Sequence, residues 1–523
     1  MPSVDGRFKF VGGRLEPFSG EMDDVTSPVY DESTGRRAVI GSMPRMTSED
    51  ALEAVHAAAA AWDKGQGKWP QMKLAERIAA IEATVRELRA LREPIVQALM
   101  WEIAKTASDA AKEFDRTMDF IAEVIAELRK DASVSQGCGM GDWTEVSGVG
   151  VRVRRGPIGV MLALAPFNYP LNEMYAMLIP ALLMGNTAVL KLPAIGGLVH
   201  ILTAKAFAAT LPPGVINFIS GSGRQTMGPI MQTGLIDVLG FIGGTKGADA
   251  LIAAHPAPHR LKVFAQLEGK NLGIVLPDAD LDSAVAQCVL GSLSYNGQRC
   301  TAIKLIMVHE EVADVFVEKL VTAVAQLRVG LPWEEGVSIT PLPEPSKPSI
   351  LESMIADALS RGARLANAEH GGGSLAGALF TPAIVDNVSS DMRLFHEEQF
   401  GPVVPVCRFR LLSDVVSAAK DSWNGQQAAI FTSSAESAAP LVDALSTIVG
   451  RININAQCGR SPDTVPFSGR RSSAMGTMSV TEALRAFSVE TVIAYPANSQ
   501  VSKEVARALD KETNFLSAIP THA

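Results

Sequence analysis

Hydrophobic residues recur along this chain with two different periods, and the change of period divides the chain into regions. Between residues 48 and 130 the spacing is helical, as Leu74, Ile78, Ile81 and Leu88 illustrate. Residues three, four or seven positions apart share one face of a helix. The region is therefore predicted to consist of amphipathic helices.

Strict alternation of apolar and polar residues marks a predicted β-hairpin at Thr144–Arg155. Val149, Val151 and Val153 alternate with small or charged residues, which is the pattern of a half-buried strand. The arginines of this hairpin are predicted to face solvent; they are Arg152, Arg154 and Arg155.

Short apolar runs then alternate with helical stretches as far as Gly450. A wholly apolar run such as Ile158–Ala165 is typical of a parallel strand that is buried on both faces. Repeated β-α-β units predict parallel sheets with helices on both sides. One series ends at Leu267 and a second begins at Asn271, so the fold class is α/β with two parallel-sheet domains.

Composition and charge narrow the class of protein. A net charge of −9 argues against non-specific nucleic-acid binding. No apolar run approaches the roughly 20 residues that span a membrane, and the amino terminus lacks the pattern of a secretion signal. The cysteines are scattered without metal-ligand spacing, which predicts a reducing, cytoplasmic setting and no metal site. They are Cys138, Cys288, Cys300, Cys407 and Cys458.

Cys300 stands out because it follows a glycine-bearing turn and comes directly after Arg299. A thiol becomes a nucleophile when positive charge or backbone dipoles lower its pKa, and Arg299 is expected to do so here. A buried core cysteine is the competing interpretation of a single Cys.

Other candidate residues follow the predicted strands of the first series. Asn168 lies after the first strand, at the edge where open α/β sheets bind ligands, and its amide could stabilise an oxyanion. Gly243 and Gly244 precede a helix, where glycines let the backbone approach a pyrophosphate. Gly221 follows another strand and is weaker evidence. Ordinary tight turns are the alternative in each case.

Taken together, six segments resemble motifs of the aldehyde dehydrogenase superfamily and occur in the order of that family. The resemblance extends over about residues 25–495. Chance agreement of six ordered motifs is very improbable. The segments are Pro166–Pro170, Val189–Pro193, Phe241–Thr245, Gly297–Cys300, Glu397–Pro402 and Pro466–Gly469.

The resemblance implies a division of the chain and an assembly. Residues 1–143 and 157–266 would form a Rossmann-like NAD(P)-binding domain, and residues 267–475 the catalytic domain. Residues 144–156 with 476–495 would form an oligomerisation arm, through which subunits pair as a homodimer or homotetramer. Residues 496–523 are left as a tail that is helical over Ser502–Lys511.

The resemblance also implies a reaction. Cys300 would attack an aldehyde, while Asn168 and the Cys300 backbone N–H hold the oxyanion; hydride transfer to the nicotinamide would leave a thioester that water hydrolyses. No metal is required. The candidate cofactor-binding residues are Pro166, Phe167, Lys191, Ala194, Gly221, Gly243, Gly244, Thr245, Glu398 and Phe400.

Within the family, the chain is most similar to the NADP-dependent non-phosphorylating glyceraldehyde-3-phosphate dehydrogenases. Ala194 stands where relatives that prefer NAD commonly have an acidic residue, which favours NADP over NAD. The substrate would be a small phosphorylated or otherwise anionic aldehyde, because guanidinium groups match phosphate geometry. The candidate substrate-binding residues are Tyr169, Arg299, Thr301, Arg460 and Arg129.

One motif departs from the family pattern. Gln266 stands where the family has the glutamate that activates the hydrolytic water, and an amide cannot take up a proton at neutral pH. Glu268 lies two residues further along an extended segment, on the same side, and is a candidate replacement. The alternatives are release of the acyl group to coenzyme A or phosphate, an enzyme that is slow or acts on another aldehyde such as a semialdehyde, and a catalytically lapsed cofactor-binding protein. A Glu268 that is merely paired with a nearby lysine is the competing interpretation of that residue.

Overall fold

The structure is a computed structural model and describes residues 1–31, 33–130 and 142–517. Cys138 and the last residues of the predicted tail lie outside these ranges. Strands and helices alternate along most of the described chain after residue 142, as expected for an α/β fold.

Helices α1 to α5 follow one another without an intervening strand, and the later helices separate the strands. In chain order they are α1 (Ser48–Trp62), α2 (Lys68–Gln71), α3 (Leu74–Ala90), α4 (Arg92–Glu102), α5 (Ala107–Arg129), α6 (Pro170–Leu183), α7 (Leu198–Thr210), α8 (Gly223–Gln232), α9 (Thr245–Ala254), α10 (Leu281–Leu293), α11 (Glu310–Ala325), α12 (Lys347–Ser360), α13 (Arg393–His396), α14 (Leu412–Asp421), α15 (Ala435–Leu445), α16 (Val480–Ala486) and α17 (Gln500–Glu512).

The strands include several very short pairs besides those of the large sheets. In chain order they are β1 (Val4–Asp5), β2 (Phe8–Val11), β3 (Arg14–Pro17), β4 (Met22–Asp31), β5 (Arg36–Pro44), β6 (Thr144–Val146), β7 (Val149–Gly156), β8 (Val160–Leu164), β9 (Thr187–Lys191), β10 (Ile216–Ile219), β11 (Val238–Ile242), β12 (Lys262–Gln266), β13 (Asn271–Val275), β14 (Ile303–His309), β15 (Arg328–Val329), β16 (Val337–Ile339), β17 (Arg364–Leu365), β18 (Leu375–Ala376), β19 (Leu379–Phe380), β20 (Ala383–Asp386), β21 (Val403–Phe409), β22 (Asn424–Gly425), β23 (Gln427–Phe431), β24 (Arg451–Ile454), β25 (Arg470–Arg471), β26 (Ala474–Met475) and β27 (Val489–Pro496).

The first large sheet has the strand order β10-β9-β8-β11-β12-β26 and is parallel except for its last pair. Chain order runs outward from β8 in one direction and from β11 in the other. This reversal makes the carboxyl ends of β8 and β11 a topological switch point, where open α/β sheets bind ligands. The apolar runs of this sheet are buried on both faces, as predicted from their composition.

The second large sheet has the order β17-β20-β21-β14-β13-β23-β24 and is parallel except at β17. Its strands also alternate with helices, so the predicted α/β class is confirmed. The predicted domain boundaries stay a prediction. Among the described residues, no helix combines the length and the apolar character that crossing a bilayer requires.

The predicted hairpin forms as β6 and β7, and β27 pairs antiparallel with β7. The expectation that its arginines face solvent is wrong for Arg152 and Arg154, which are 6% and 5% exposed. Helix α17 packs against this sheet, and Asp510 of α17 accepts a hydrogen bond from Arg152. The local sequence pattern could not reveal that α17 buries these arginines, because α17 lies more than 300 residues further along the chain.

Candidate active site

The carboxyl ends of the first sheet face the amino ends of the second across a cavity of about 1000 Å³. Cys300, Asn168 and Gln266 all line this cavity. The first sheet contributes the residues that follow its strands. The second contributes residues that precede β14 and β21, together with the first residue of β24 and the loop that follows β24. Motifs that lie far apart along the chain thus meet where the two sheets face each other.

A strained turn positions Cys300 just before β14. Tyr295, Asn296 and Gly297 all have positive φ angles, of 49°, 56° and 69°. Such backbone is costly for residues other than glycine and persists only when its surroundings fix it. The Asn296 amide is buried and exchanges hydrogen bonds with the backbone of Thr340 at 3.0 and 2.9 Å. A Cβ on Gly297 would lie 2.7 Å from the Gly401 carbonyl oxygen, so the turn requires glycine there.

The thiol of Cys300 is partly buried and its electrostatic surroundings oppose ionisation. Burial first, then the carboxylates of Glu173 and Glu398, raise the pKa of Cys300 to about 11, while Lys304 acts in the opposite direction. The expectation that Arg299 yields a lowered pKa is therefore wrong. Burial of the thiolate and nearby negative charge outweigh the nearby cations.

Asn168 lies directly beyond β8 and is 4% exposed. Its Nδ2 donates to the Gln298 carbonyl oxygen at 2.8 Å, while its Oδ1 is buried without a hydrogen-bond partner. A side-chain amide has two N–H donors, so one remains for an oxygen in the cavity beside Cys300. The predicted oxyanion group is thus in the cavity.

An ion-paired group, here called the arginine cluster, consists of Arg116, Glu173, Arg460 and Asp463. The first three of these residues line another part of the cavity, and Asp463 pairs with both arginines from outside the lining. Arg460 donates to Glu173 at 2.7 Å and lies 3.2 Å from Asp463. Arg116 binds both carboxylate oxygens of Asp463, at 2.9 and 2.8 Å. Burial favours a protonated Asp463, but the two arginines outweigh it and lower the pKa of Asp463. Nη2 of Arg460 is buried, and within the described part of the chain it has no hydrogen-bond partner, so it remains free to donate.

Sequence reasoning missed Arg116 and selected Arg129 on the same helix, α5. Arg129 is absent from the cavity lining; its guanidinium pairs with both oxygens of Glu82 at 2.8 and 3.1 Å. Thirteen residues on an α-helix correspond to a rotation of about 220°, so the two side chains leave opposite faces. Local sequence gave no signal for Arg116, since its partner Asp463 lies far along the chain.

The remaining predicted substrate residues, Tyr169, Arg299 and Thr301, all line the cavity. The Arg299 guanidinium donates to the backbone oxygens of Leu290 and Gly291 at 3.2 and 2.9 Å, and its Nε is buried without a partner. These bonds hold the side chain in one place and leave one donor unused.

A buried ion pair supports Tyr169 from behind. Lys105 Nζ lies 3.3 Å from the centre of the Tyr169 ring and pairs with Glu113. The other oxygen of Glu113 accepts the backbone N–H groups of Leu171 and Asn172 at 3.1 and 3.2 Å. The pair therefore caps the amino end of α6 and fixes the segment that carries Asn168 and Tyr169.

Gln266 is the last residue of β12, Glu268 lies two positions further along, and both line the cavity; they are here called the Gln266–Glu268 pair. Gln266 is 3% exposed, yet among the described residues neither its Nε2 nor its Oε1 has a hydrogen-bond partner. Glu268 is partly exposed and accepts a hydrogen bond from Thr245 Oγ1 at 2.5 Å. The Glu268 carboxylate therefore lines the same cavity as the Gln266 amide, which departs from the family pattern.

The predicted cofactor residues form a band along the carboxyl edge of the first sheet. Gly243 and Gly244 line the cavity at the amino end of α9. Lys191 ends β9 and is buried, and burial lowers its pKa to about 8. Gly221 lies against the backbone oxygen of Met46, 2.7 Å from the place of a Cβ, which gives that glycine a packing reason.

Ala194 is exposed and brings no charge to this band. The carboxylate that acts on Lys191 is Asp23, and it is held by Arg45 at 2.7 Å. Arg45 lies directly after β5 and outside all of the motifs, so the sequence offered no reason to select it.

Pro166, Phe167, Glu398 and Phe400 complete the predicted set, and all four line the cavity. Burial raises the pKa of Glu398, although Lys304 lies 3.6 Å from its carboxylate. The rings of Phe167 and Phe400 meet edge to face at 5.9 Å. Within the described ranges, no group of three or more His, Cys, Asp or Glu residues is arranged to hold a metal ion.

Comparison with known proteins agrees with this geometry. A sequence model of the aldehyde dehydrogenase family matches residues 21–493. An NADP-dependent glyceraldehyde-3-phosphate dehydrogenase of Streptococcus equinus is 35% identical over 460 residues, covering 88% of this chain and 93% of the relative. An enzyme of the same name from Arabidopsis thaliana is 34% identical and covers 84% and 86%.

Among solved structures, the chain is similar to NADP-dependent glyceraldehyde-3-phosphate dehydrogenase from Bacillus halodurans C-125, crystallised with NADP. The TM-score is 0.84 at 32% identity, with 94% of this chain and 99% of that chain covered.

Proposed function

The chain belongs to the aldehyde dehydrogenase family, and from this we propose that it oxidises a small anionic aldehyde with NADP as hydride acceptor. Glyceraldehyde 3-phosphate, giving 3-phosphoglycerate, is the proposed substrate. The relatives named for that reaction and NADP support this choice. The homo-oligomer and the division into domains stay predictions.

The observation that carries the substrate proposal is the unpartnered Nη2 of Arg460 in the cavity of Cys300. A buried guanidinium N–H without an acceptor is costly, and an anionic group on the substrate would satisfy it. Arg116 and Arg299 line the same cavity and supply further positive charge. A neutral aldehyde would leave these donors unmatched.

The residues present fit NADP. The amino end of α9, with Gly243 and Gly244, suits phosphate oxygens, and the partly buried Glu398 offers a carboxylate to ribose hydroxyls. Near Lys191, the charge of Asp23 is neutralised by Arg45, so a 2′-phosphate is tolerated. When bound, the nicotinamide accepts two electrons and a proton as hydride from the aldehyde carbon.

The protein's own groups carry the remaining chemistry. Sγ of Cys300, after losing its proton, forms a bond to the aldehyde carbon, and the carbonyl oxygen takes up the π electron pair. Asn168 Nδ2 and the Cys300 backbone N–H stabilise that oxygen. Loss of hydride leaves a thioester; water then adds, the carbon–sulfur bond breaks, and the acid departs.

We assign activation of that water to Glu268. Among the described residues, every other carboxylate that lines the cavity is committed to a cation, so only Glu268 is available to take a proton. The committed pairs are Glu173 with Arg460, Glu344 with Lys347, Glu397 with Arg393, and Glu398 with Lys304.

A second candidate function is transfer of the acyl group to coenzyme A, and Gln266 is the observation that favours it. If no carboxylate activates water, a thiol that is itself nucleophilic could release the acyl group. This enzyme would need added coenzyme A for more than one turnover.

The experiment is an aldehyde panel with NADP and with NAD, each with and without coenzyme A, following NAD(P)H and the acid product. The proposal expects steady turnover of glyceraldehyde 3-phosphate with NADP alone, and weak turnover of uncharged aldehydes of similar size. Turnover that appears only with coenzyme A would establish the second candidate instead. Cys300→Ser serves as the control and should abolish NADPH formation with every aldehyde.

A further inference from the structure

The Glu268 carboxylate lies at the amino end of helix α9. Thr245, the first residue of α9, donates to Glu268 Oε2 at 2.5 Å. Glu268 Oε1 lies 3.1 Å from the place that a Cβ on Gly244 would occupy. The first N–H groups of a helix have no partner within it, and they attract negative charge. Glu268 therefore holds a position that suits an external anion.

The side chain of Glu268 can leave this position while its backbone stays in place. Ser473 fixes the backbone on both sides, since its carbonyl oxygen accepts Leu267 N–H at 2.8 Å and its Oγ donates to the Glu268 carbonyl oxygen at 2.7 Å. Among the described residues, no cation pairs with the Glu268 carboxylate. Rotation of the side chain breaks a single hydrogen bond to a hydroxyl.

A second partner for Glu268 is present in the same cavity. The Gln266 amide is buried with both polar atoms unpartnered, although buried amides are normally hydrogen-bonded. Gln266 ends β12 and Glu268 lies two residues further along, and both line the cavity. A Glu268 carboxylate that accepted from Gln266 Nε2 would satisfy that donor.

We propose that Glu268 is a movable carboxylate that holds the anion position at α9 in the empty enzyme and shifts to the Gln266 amide when an anionic dinucleotide binds. The inference rests on the proposed function, because NADP is the anion. It adds a consequence: the water-activating carboxylate reaches the acyl group only in the cofactor-loaded enzyme. Gln266 is then a positioning residue and not a defect.

The test measures NADP affinity by calorimetry at low ionic strength for the wild type, Glu268→Gln and Glu397→Gln. Glu268→Gln removes a charge that competes with the cofactor, so NADP should bind about three- to tenfold more tightly. Glu397→Gln removes an equal charge from the exposed mouth of the same cavity and should change the affinity less than about twofold. Thermal unfolding of each variant checks the fold.

The direction of the change separates the inference from a merely structural role. If Glu268 only caps α9, Glu268→Gln will unfold at lower temperature and bind NADP with equal or weaker affinity, and the inference is wrong. If the wild type binds no NADP, the proposed function fails and the inference with it. Equal tightening by Glu397→Gln would also overturn it, since the effect would then be general.

A crystal structure of the NADP complex gives an independent readout. The inference expects the Glu268 carboxylate within hydrogen-bond distance of Gln266 Nε2 and away from Thr245. A carboxylate still bonded to Thr245 beside the bound cofactor would overturn it.

Discussion

The arginine cluster and the Gln266–Glu268 pair belong to the same cavity but differ in how their charges are partnered. In the arginine cluster each guanidinium has a carboxylate partner, and the side chains are fixed before any substrate arrives. In the Gln266–Glu268 pair, as far as the described residues show, the amide has no hydrogen-bond partner and the carboxylate accepts only from a hydroxyl. Binding an anion benefits from preorganised charge, whereas proton transfer requires a carboxylate that is not neutralised by a cation.

The largest expected effect comes from removing the free carboxylate. Glu268→Gln should lower steady-state turnover by about 10² to 10⁴, which is the usual contribution of a general base. The first-turnover burst of NADPH should persist, because attack by Cys300 precedes hydrolysis. Rapid mixing followed by steady-state assay distinguishes the two phases.

A matched rescue sharpens that result. The double variant Gln266→Glu with Glu268→Gln moves the carboxylate to the position that the family pattern expects, and turnover should recover by at least about tenfold over Glu268→Gln. Unchanged turnover in Glu268→Gln would show that Glu268 is not the base. The lack of a cation partner for Glu268 would then have no role in hydrolysis.

A substitution in the arginine cluster should affect substrate binding more than kcat. Arg460→Gln should raise KM for glyceraldehyde 3-phosphate by about 10- to 100-fold, the cost of one charged hydrogen bond to the substrate. KM for an uncharged aldehyde should change little. Steady-state kinetics on both substrates make the comparison, and equal losses on both would contradict an anion-binding role.

The pH dependence of Cys300 tests how burial and the carboxylates of Glu173 and Glu398 act on the thiol. With its pKa raised to about 11, the reactive thiolate of the free enzyme is scarce at neutral pH and increases with pH. Alkylation of Cys300 by iodoacetamide should therefore accelerate about tenfold per pH unit from pH 7 to 9 without reaching a plateau. Peptide mass spectrometry, with Cys300→Ser as the blank, measures the rate. A plateau below pH 9 would mean a lower pKa.

The smallest effect is expected for Arg129, which was predicted to bind the substrate but lies outside the cavity lining. Arg129→Gln should change kcat and KM less than about twofold, because its partly exposed pair with Glu82 lies outside the cavity of Cys300. Arg116→Gln on the same helix is the positive control and should raise KM. A large loss in Arg129→Gln would require a second site for the substrate.

Several candidate site residues could be predicted from local sequence because each of them directly follows or ends a strand. Asn168, Gly243 and Gln266 each follow or end a predicted strand, and parallel strands bring their carboxyl ends to one edge. Cys300 was identifiable from its turn. These residues needed only the order of elements and the α/β class to be placed in one cavity.

The properties of those residues were decided by tertiary structure. Arg299 precedes Cys300, yet burial together with Glu173 and Glu398 determines the direction in which the thiol pKa moves. Arg116 enters the cavity through an ion pair with a residue 347 positions away. Arg152 and Arg154 are buried where alternation predicted solvent, since α17 packs near them.

The sequence by itself determined the α/β class, the order of the motifs and the choice of Cys300 as candidate nucleophile, because these depend on periodicity and on residues adjacent in the chain. The fold decided which charges meet, namely which arginines share a carboxylate, which carboxylate stays free and how strongly the thiol resists ionisation. Electrostatic energies depend on distance and burial in space, and separation along the chain specifies neither.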